Sequence, residues 1–224
     1  VAFGTCAVYG GPSGIGWLYG KDVILNKIYR ETATSSKDGL LPEGAPELEQ
    51  SVIPIDEVVD IDFYIPGCPP HPYFIALAIK TLLGASVPPM QAKTVCSACN
   101  RKMEKREGVK LQKGMSSGTE EDVCLLSQGV VCLGSVTLDR CQAQCPNMGV
   151  ACAGCAGPSV DLITEPHLVI RTLIARRMSL LTGIDRQEII DYIENEAKTF
   201  YSYALSSPAI YKKPTVEMRE WAGK

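Results

Sequence analysis

Ten cysteines stand in this chain of 224 residues, and eight of them fall between Cys96 and Cys155. They come in short steps: Cys96-x2-Cys99, then Cys124 and Cys132, then Cys141-x3-Cys145-Pro146 and Cys152-x2-Cys155-x-Gly157. A thiolate is a soft ligand, and a Cys-x2-Cys step brings two of them to one turn, so pairs of this kind hold metals. Cys96, Cys99, Cys124 and Cys132 read as one ligand set, and Cys141, Cys145, Cys152 and Cys155 as a second. Four thiolates are what a 4Fe–4S cube takes, one per iron, and Cys-Pro beside a Cys-x2-Cys pair is the ligation pattern of bacterial ferredoxins. Gly129, Gly134, Gly154 and Gly157 suit a backbone that wraps closely around a cluster and turns its amides toward sulfur. Structural zinc sites with four cysteine ligands use the same paired spacing and stay open as an alternative. Disulfides fit poorly, because disulfide-rich domains are usually much smaller and the opening residues show no secretory pattern.

Cys6 and Cys68 remain. Each sits in a glycine-rich turn directly after a strand-like segment, Val1–Phe3 in one case and Ile61–Ile65 in the other. In an open α/β sheet such turns meet at the carboxyl ends of the strands, where ligands bind. Two thiolates do not complete a cube. They are either ordinary small residues or half of a set whose other ligands lie outside this sequence. The chain also opens on what reads as the end of a strand, which leads us to expect that it begins partway through a domain.

Three regions must position these residues. Residues 1–90 have an α/β pattern. A glycine-rich turn spans Gly10 to Gly16, and Asp22 to Tyr29 carries helical spacing. Thr32 to Gln50 reads as a loop, Ile61, Phe63 and Ile65 alternate as in a strand, and a helix follows with Phe74, Ile75, Ala78, Ile79 and Leu82 on one face before Gly84 and Pro88-Pro89 end it. Gln91 to Pro158 holds the clustered cysteines with little periodicity, so this region is expected to be organised by its metals rather than by a hydrophobic core. The last region reads as helical. Thr164 with Pro166 predicts a helix start, Gly183 a stop, Asp185 with Glu188 a capping box, and Ile189, Ile193, Ala197, Phe200 and Ala204 an apolar stripe.

Composition sets outer bounds. The net charge of −3 and 21% charged residues give no reason to expect nucleic acid or an anionic membrane as partner. No apolar run is long enough to span a bilayer; the best candidate, Leu168 to Leu181, is interrupted by Arg171, Arg176 and Arg177.

The motifs Gly4-Thr5-Cys6-Ala7-Val8-Tyr9-Gly10-Gly11 and Pro66-Gly67-Cys68-Pro69-Pro70, with the eight downstream cysteines in this order, resemble the small subunit of nickel–iron hydrogenases over nearly the whole chain. Within that family the sequence is most similar to the soluble gamma subunits of methyl-viologen-reducing (deazaflavin-independent) hydrogenases, which pair with heterodisulfide reductase in methanogens. The resemblance implies an α/β flavodoxin-like domain, truncated at its N-terminus, over residues 1–90, and an irregular cysteine-rich iron–sulfur domain with C-terminal helices over 91–224. It implies that Cys6 and Cys68 are two ligands of a proximal cluster beside the nickel–iron centre of a partner large subunit. Cys141, Cys145, Cys152 and Cys155 match a medial cluster, 4Fe–4S here because four cysteines are present where many membrane-linked relatives have three. Cys96, Cys99, Cys124 and Cys132 match a distal 4Fe–4S cluster, with Cys96 where those relatives have histidine. The family's other proximal ligands, a Cys-x2-Cys on an earlier turn, are absent from this sequence.

The implied role is a non-catalytic electron relay from H2 oxidation on the large subunit to a further iron–sulfur or flavin subunit, in a cytoplasmic complex without a membrane span. A zinc-stabilised interaction module, and a relay serving a hydrogenase-like complex with a different catalytic partner, are the competing readings. The cluster-bearing subunit of complex I shares the Pro-Gly-Cys-Pro-Pro turn but carries a single cluster, so the eight further cysteines argue against it. Of the two histidines, His71 is expected at a helix start, with cluster tuning as the sharper reading, and His167 is expected to be structural. Gly10 to Gly16 lacks the pattern of a nucleotide or phosphate loop. Trp17 and Tyr19 read as core or interface, and the charge run Arg101 to Glu107 as a solvated face.

Overall fold

The computed structural model describes residues 1–36, 38–49, 52–87, 91–115, 120–165 and 168–207. Strand β1 (Ala2–Phe3) pairs in parallel with β2 (Tyr64–Ile65), Ala2 opposite Tyr64 and Phe3 opposite Ile65. Ala2 and Ile65 face inward. The alternation from Ile61 predicts a longer strand than β2, but the ladder ends where β1 offers no further partner.

Gly4 turns the chain out of β1 with φ 83°, and α1 (Thr5–Tyr9) starts at once. Cys6 therefore sits in the first turn of a short helix, not in a loop. Residues from Pro12 to Leu18 form a 3₁₀ helix rather than the expected open turn, and α2 (Lys21–Arg30) follows as the spacing predicts. No regular element lies among the described residues between 32 and 49. After β2, α3 (Pro72–Leu82) is capped by His71, whose Nδ1 accepts from the Tyr73 amide at 3.2 Å. That contact makes His71 a helix-start residue. Phe74 and Ala78 are buried, while Ile79 and Leu82 are half exposed. Leu83 and Gly84 close the helix; Pro88 and Pro89 lie outside the described residues.

The cysteine-rich stretch is irregular as expected, built of 3₁₀ turns at Val95–Ala98, Leu126–Gln128 and Leu133–Val136, plus one-turn helices α4 (Gln144–Asn147) and α5 (Val160–Thr164). It is not coreless. Val95, Leu125, Val130, Val131, Leu133 and Val136 are nearly inaccessible and share one apolar core with the C-terminal helices. The expectation of a region held by metals alone is corrected: 3₁₀ turns and bends bury residues without a period of two or 3.6, so the burial leaves no periodic signature.

Helix α6 (Ile170–Thr182) packs on α7 (Arg186–Asn195) and on the 126–128 and 133–136 turns. Gly183 ends α6 in a left-handed conformation, and the Asp185 carboxylate accepts from the Gln187 and Glu188 amides. Thr164 ends α5 instead of starting a helix, and Pro166 and His167 lie outside the described residues. The stripe Ile189, Ile193, Ala197, Phe200 and Ala204 is buried throughout, running from α7 through α8 (Ala197–Phe200). No described helix is long and apolar enough to cross a membrane.

The charge run is mostly solvated but not idle. Arg106 pairs with Glu104 and Glu120. Arg101 donates to the carbonyls of Pro146, Glu120 and Val123, latching the Cys99 segment onto the loops that carry Cys145 and Cys124.

Candidate functional site

All ten cysteines are described, and all are free thiols. The charges of Cys132, Cys124 and Cys99 all act on Cys96. The Val95–Ala98 turn, the loop after Val123 and the turn at Cys132 thus converge on one place. Gly134 seals it: a methyl group there would stand 3.4 Å from the Cys96 sulfur and 3.6 Å from that of Cys132. Backbone amides point at these sulfurs, from Leu126 and Ser127 to Cys124 and from Gly134 and Cys152 to Cys132.

The second set gathers around Cys155, which feels Cys141, Cys145 and Cys68, while Cys152 feels both Cys132 and Cys155. Here the amides of Ala143 and Gln144 face Cys141, that of Gly154 faces Cys152, and that of Cys68 faces Cys155. Cys6 and Cys68 form a third group, each on the turn after its strand and near enough that Cys6 acts on Cys68.

Burial dominates the electrostatics. It raises Cys96 to about 12 and Cys132 and Cys155 to about 11, with neighbouring thiolates adding to the rise for Cys96 and Cys155. Cys152 is pushed up strongly, and Cys124, Cys141 and Cys68 also rise, desolvation first in each case. The amides oppose burial by stabilising the thiolate but do not overcome it. Thiolates gathered at this density need a cationic partner. Among the described residues no three His, Cys, Asp or Glu side chains close tightly enough on a point to hold a single ion. The donor set is all sulfur and lined with N–H donors. That combination fits iron–sulfur clusters.

The sets are joined to one another. The Cys152 amide donates to the Cys132 sulfur at 3.3 Å, and the Leu133 amide donates back to the Cys152 carbonyl at 2.9 Å. The Cys68 amide is directed toward the Cys155 sulfur. The order in space is therefore Cys6 and Cys68, then the Cys141–Cys155 set, then the Cys96–Cys132 set.

Several positioning residues escaped the sequence reading. Thr5 is fully buried; its hydroxyl donates to the Cys155 carbonyl at 2.5 Å and accepts from the Gly67 amide at 2.9 Å. One side chain thus ties the Cys6, Cys68 and Cys155 segments together. The motif Gly4-Thr5-Cys6 was visible, but its contact 150 residues away was not. Tyr9 packs against Gly157, where a Cβ would lie 2.0 Å from the ring. Ser206 donates to the Tyr9 carbonyl and fills the space left by Gly10 and Gly14. Arg140, buried, sits 5.3 Å from the Phe74 ring centroid and donates to the carbonyls of Gln91 and Asp139. Burial raises the Tyr203 hydroxyl, and the charges of Cys155, Cys68, Cys145 and Cys152 add to the rise. Tyr19 lies under the Lys198 ammonium, 4.9 Å from its ring centroid.

A family model described as the NADH ubiquinone oxidoreductase 20 kDa subunit matches residues 1–82. The chain is 31% identical over 220 residues to an F420-non-reducing hydrogenase subunit of Methanothermobacter thermautotrophicus, covering 95% of this chain and 71% of that one. It is 32% identical over 234 residues to the F420-non-reducing hydrogenase iron-sulfur subunit of Archaeoglobus profundus, covering 95% and 72%. Against an F420-non-reducing hydrogenase vhu subunit of Methanocaldococcus jannaschii it is 41% identical over 165 residues, covering 72% of this chain and 57% of that relative. The complex I likeness stops before Cys96, whereas the hydrogenase likeness runs on through the cysteine sets, and the chain belongs to the family of F420-non-reducing hydrogenase iron–sulfur subunits, the small subunits of these hydrogenases.

Proposed function

We propose that this chain is the electron-relay small subunit of a soluble, cytoplasmic nickel–iron hydrogenase. It carries electrons from H2 oxidation on a partner large subunit, through three iron–sulfur clusters, to a further iron–sulfur or flavin subunit such as heterodisulfide reductase. The chain itself holds no catalytic centre; the nickel–iron site belongs to the large subunit. Cys141, Cys145, Cys152 and Cys155 hold a medial 4Fe–4S cluster, and Cys96, Cys99, Cys124 and Cys132 a distal one. Cys6 and Cys68 supply two ligands of a proximal cluster. Residues 1–90 belong to a flavodoxin-like domain, and 91–224 form the iron–sulfur domain.

The observation that carries this reading is the contiguity of the three sulfur groups. At each junction a cysteine amide of one set faces a cysteine sulfur of the next: the Cys152 amide donates to Cys132 at 3.3 Å, and the Cys68 amide is directed at Cys155. A set of separate structural metal sites has no need of that adjacency; a chain of redox centres does. Clusters bound here supply one-electron redox chemistry. The chain's own residues space the centres, shut out water and direct amides at their sulfurs. The exposure of Cys6 and Cys68 suits the end that meets a catalytic partner.

Electron paramagnetic resonance of the anaerobically reduced protein tests this. Neighbouring reduced clusters are expected to broaden and split one another's signals, because cysteines of adjacent sets lie in direct contact. A reduced sample with no paramagnetic signal would overturn the relay.

A further inference from the structure

The turn after Cys141 is conformationally costly. Gln142 and Ala143 take successive φ values of 56° and 53°, in the left-handed region that residues with a Cβ avoid. They are the only described non-glycine residues with positive φ. Strain of this kind persists only where the surroundings impose it. The constraint here comes from Asp139. Its Oδ1 accepts from the Gln142 amide at 2.9 Å and from the Cys141 amide at 3.3 Å. Asp139 is itself held, its amide donating to the Lys93 carbonyl at 2.8 Å, next to the backbone bond from Val95 to Thr137 that anchors the Cys96 turn. With the turn fixed this way, the following amides, of Ala143 and Gln144, face the Cys141 sulfur.

We propose that Asp139 is a positioning residue for the Cys141 ligand: one carboxylate oxygen imposes the left-handed turn that aims two amides at the Cys141 sulfur. This rests on the reading of Cys141 as a cluster ligand. The residue has two opposed effects. As an acceptor it builds the amide cradle, which stabilises negative charge on sulfur. As an anion bonded to the Cys141 amide, it also sets a negative charge beside that ligand, against the amides. The two effects separate by substitution, because both hydrogen bonds use the same oxygen and an asparagine carbonyl can replace it.

The experiment compares D139N and D139A in the cluster-loaded protein, by iron and acid-labile sulfide content and by redox titration followed by paramagnetic resonance. D139N is expected to retain a full cluster on Cys141, Cys145, Cys152 and Cys155, with its potential shifted positive because a nearby negative charge is gone. D139A is expected to lose much of that cluster while the signal from the Cys96–Cys132 set stays intact, which separates a local effect from misfolding. The proposal is overturned if D139A holds the second cluster in full at wild-type potential, or if D139N loses it as completely as D139A. Wild-type protein that carries no sulfide at all would remove the underlying cluster reading instead, before either variant is compared.

Discussion

Replacing Cys152 with alanine is expected to remove about four irons and four acid-labile sulfides per chain and to stop electron passage from H2 to an external dye. Cys152 is 5% exposed, and its sulfur is met by the Gly154 amide with the Thr137 hydroxyl beside it. No other cysteine outside its set is free to take its place, since Cys132 belongs to the neighbouring group. Loss of an outer hydrogen-bonding partner typically costs ~10–100-fold in metal affinity, so loss of a ligand costs at least about 100-fold. The alanine keeps its backbone N–H, and with it the 3.3 Å bond to Cys132. The first set should therefore survive, and the defect should be selective. Iron and sulfide assays on the variant check this; an unchanged iron content would mean that Cys152 is not a ligand.

Thr5→Val should be among the most damaging changes that touch no cysteine. Valine matches the shape of threonine but leaves the Gly67 amide and the Cys155 carbonyl without their buried partner. Each orphaned group costs ~1–3 kcal/mol, so the variant should lose roughly 2–6 kcal/mol. That is a large share of the ~5–15 kcal/mol by which a domain is stable. Cluster content should fall as well, because the Cys155 loop and the Cys6–Cys68 pair lose their common anchor. Thr5→Ser keeps the hydroxyl and should restore most of both. Denaturant midpoints for the three proteins decide the matter; a valine variant within about 0.5 kcal/mol of wild type would show that the hydroxyl ties nothing together.

The gathering of the cysteines into groups was legible in the sequence because their steps are short. Cys-x2-Cys steps are local, and a local step survives whatever the rest of the chain does. Helices α2, α3 and α7 were legible for a similar reason, since caps and apolar stripes are short-range signals. What stayed hidden was long-range. Thr5 reaching Cys155, Ser206 filling the gap at Gly10, and Arg140 lying over Phe74 join segments whose meeting no spacing records. The core within the cysteine region was missed because Leu125 to Val136 bury side chains in every direction around irregular turns. Asp139 carried no signal of its own. Its part emerges only from the left-handed pair that follows Cys141, which nothing in the residue types Gln142 and Ala143 announces.

Acid-labile sulfide, counted against iron and zinc in the anaerobically purified chain, tests the central claim most directly. Two complete cubes on the eight cysteines between Cys96 and Cys155 predict about eight sulfides matched by iron, with no stoichiometric zinc. A colourless protein with zinc on those cysteines and no sulfide would contradict the relay outright.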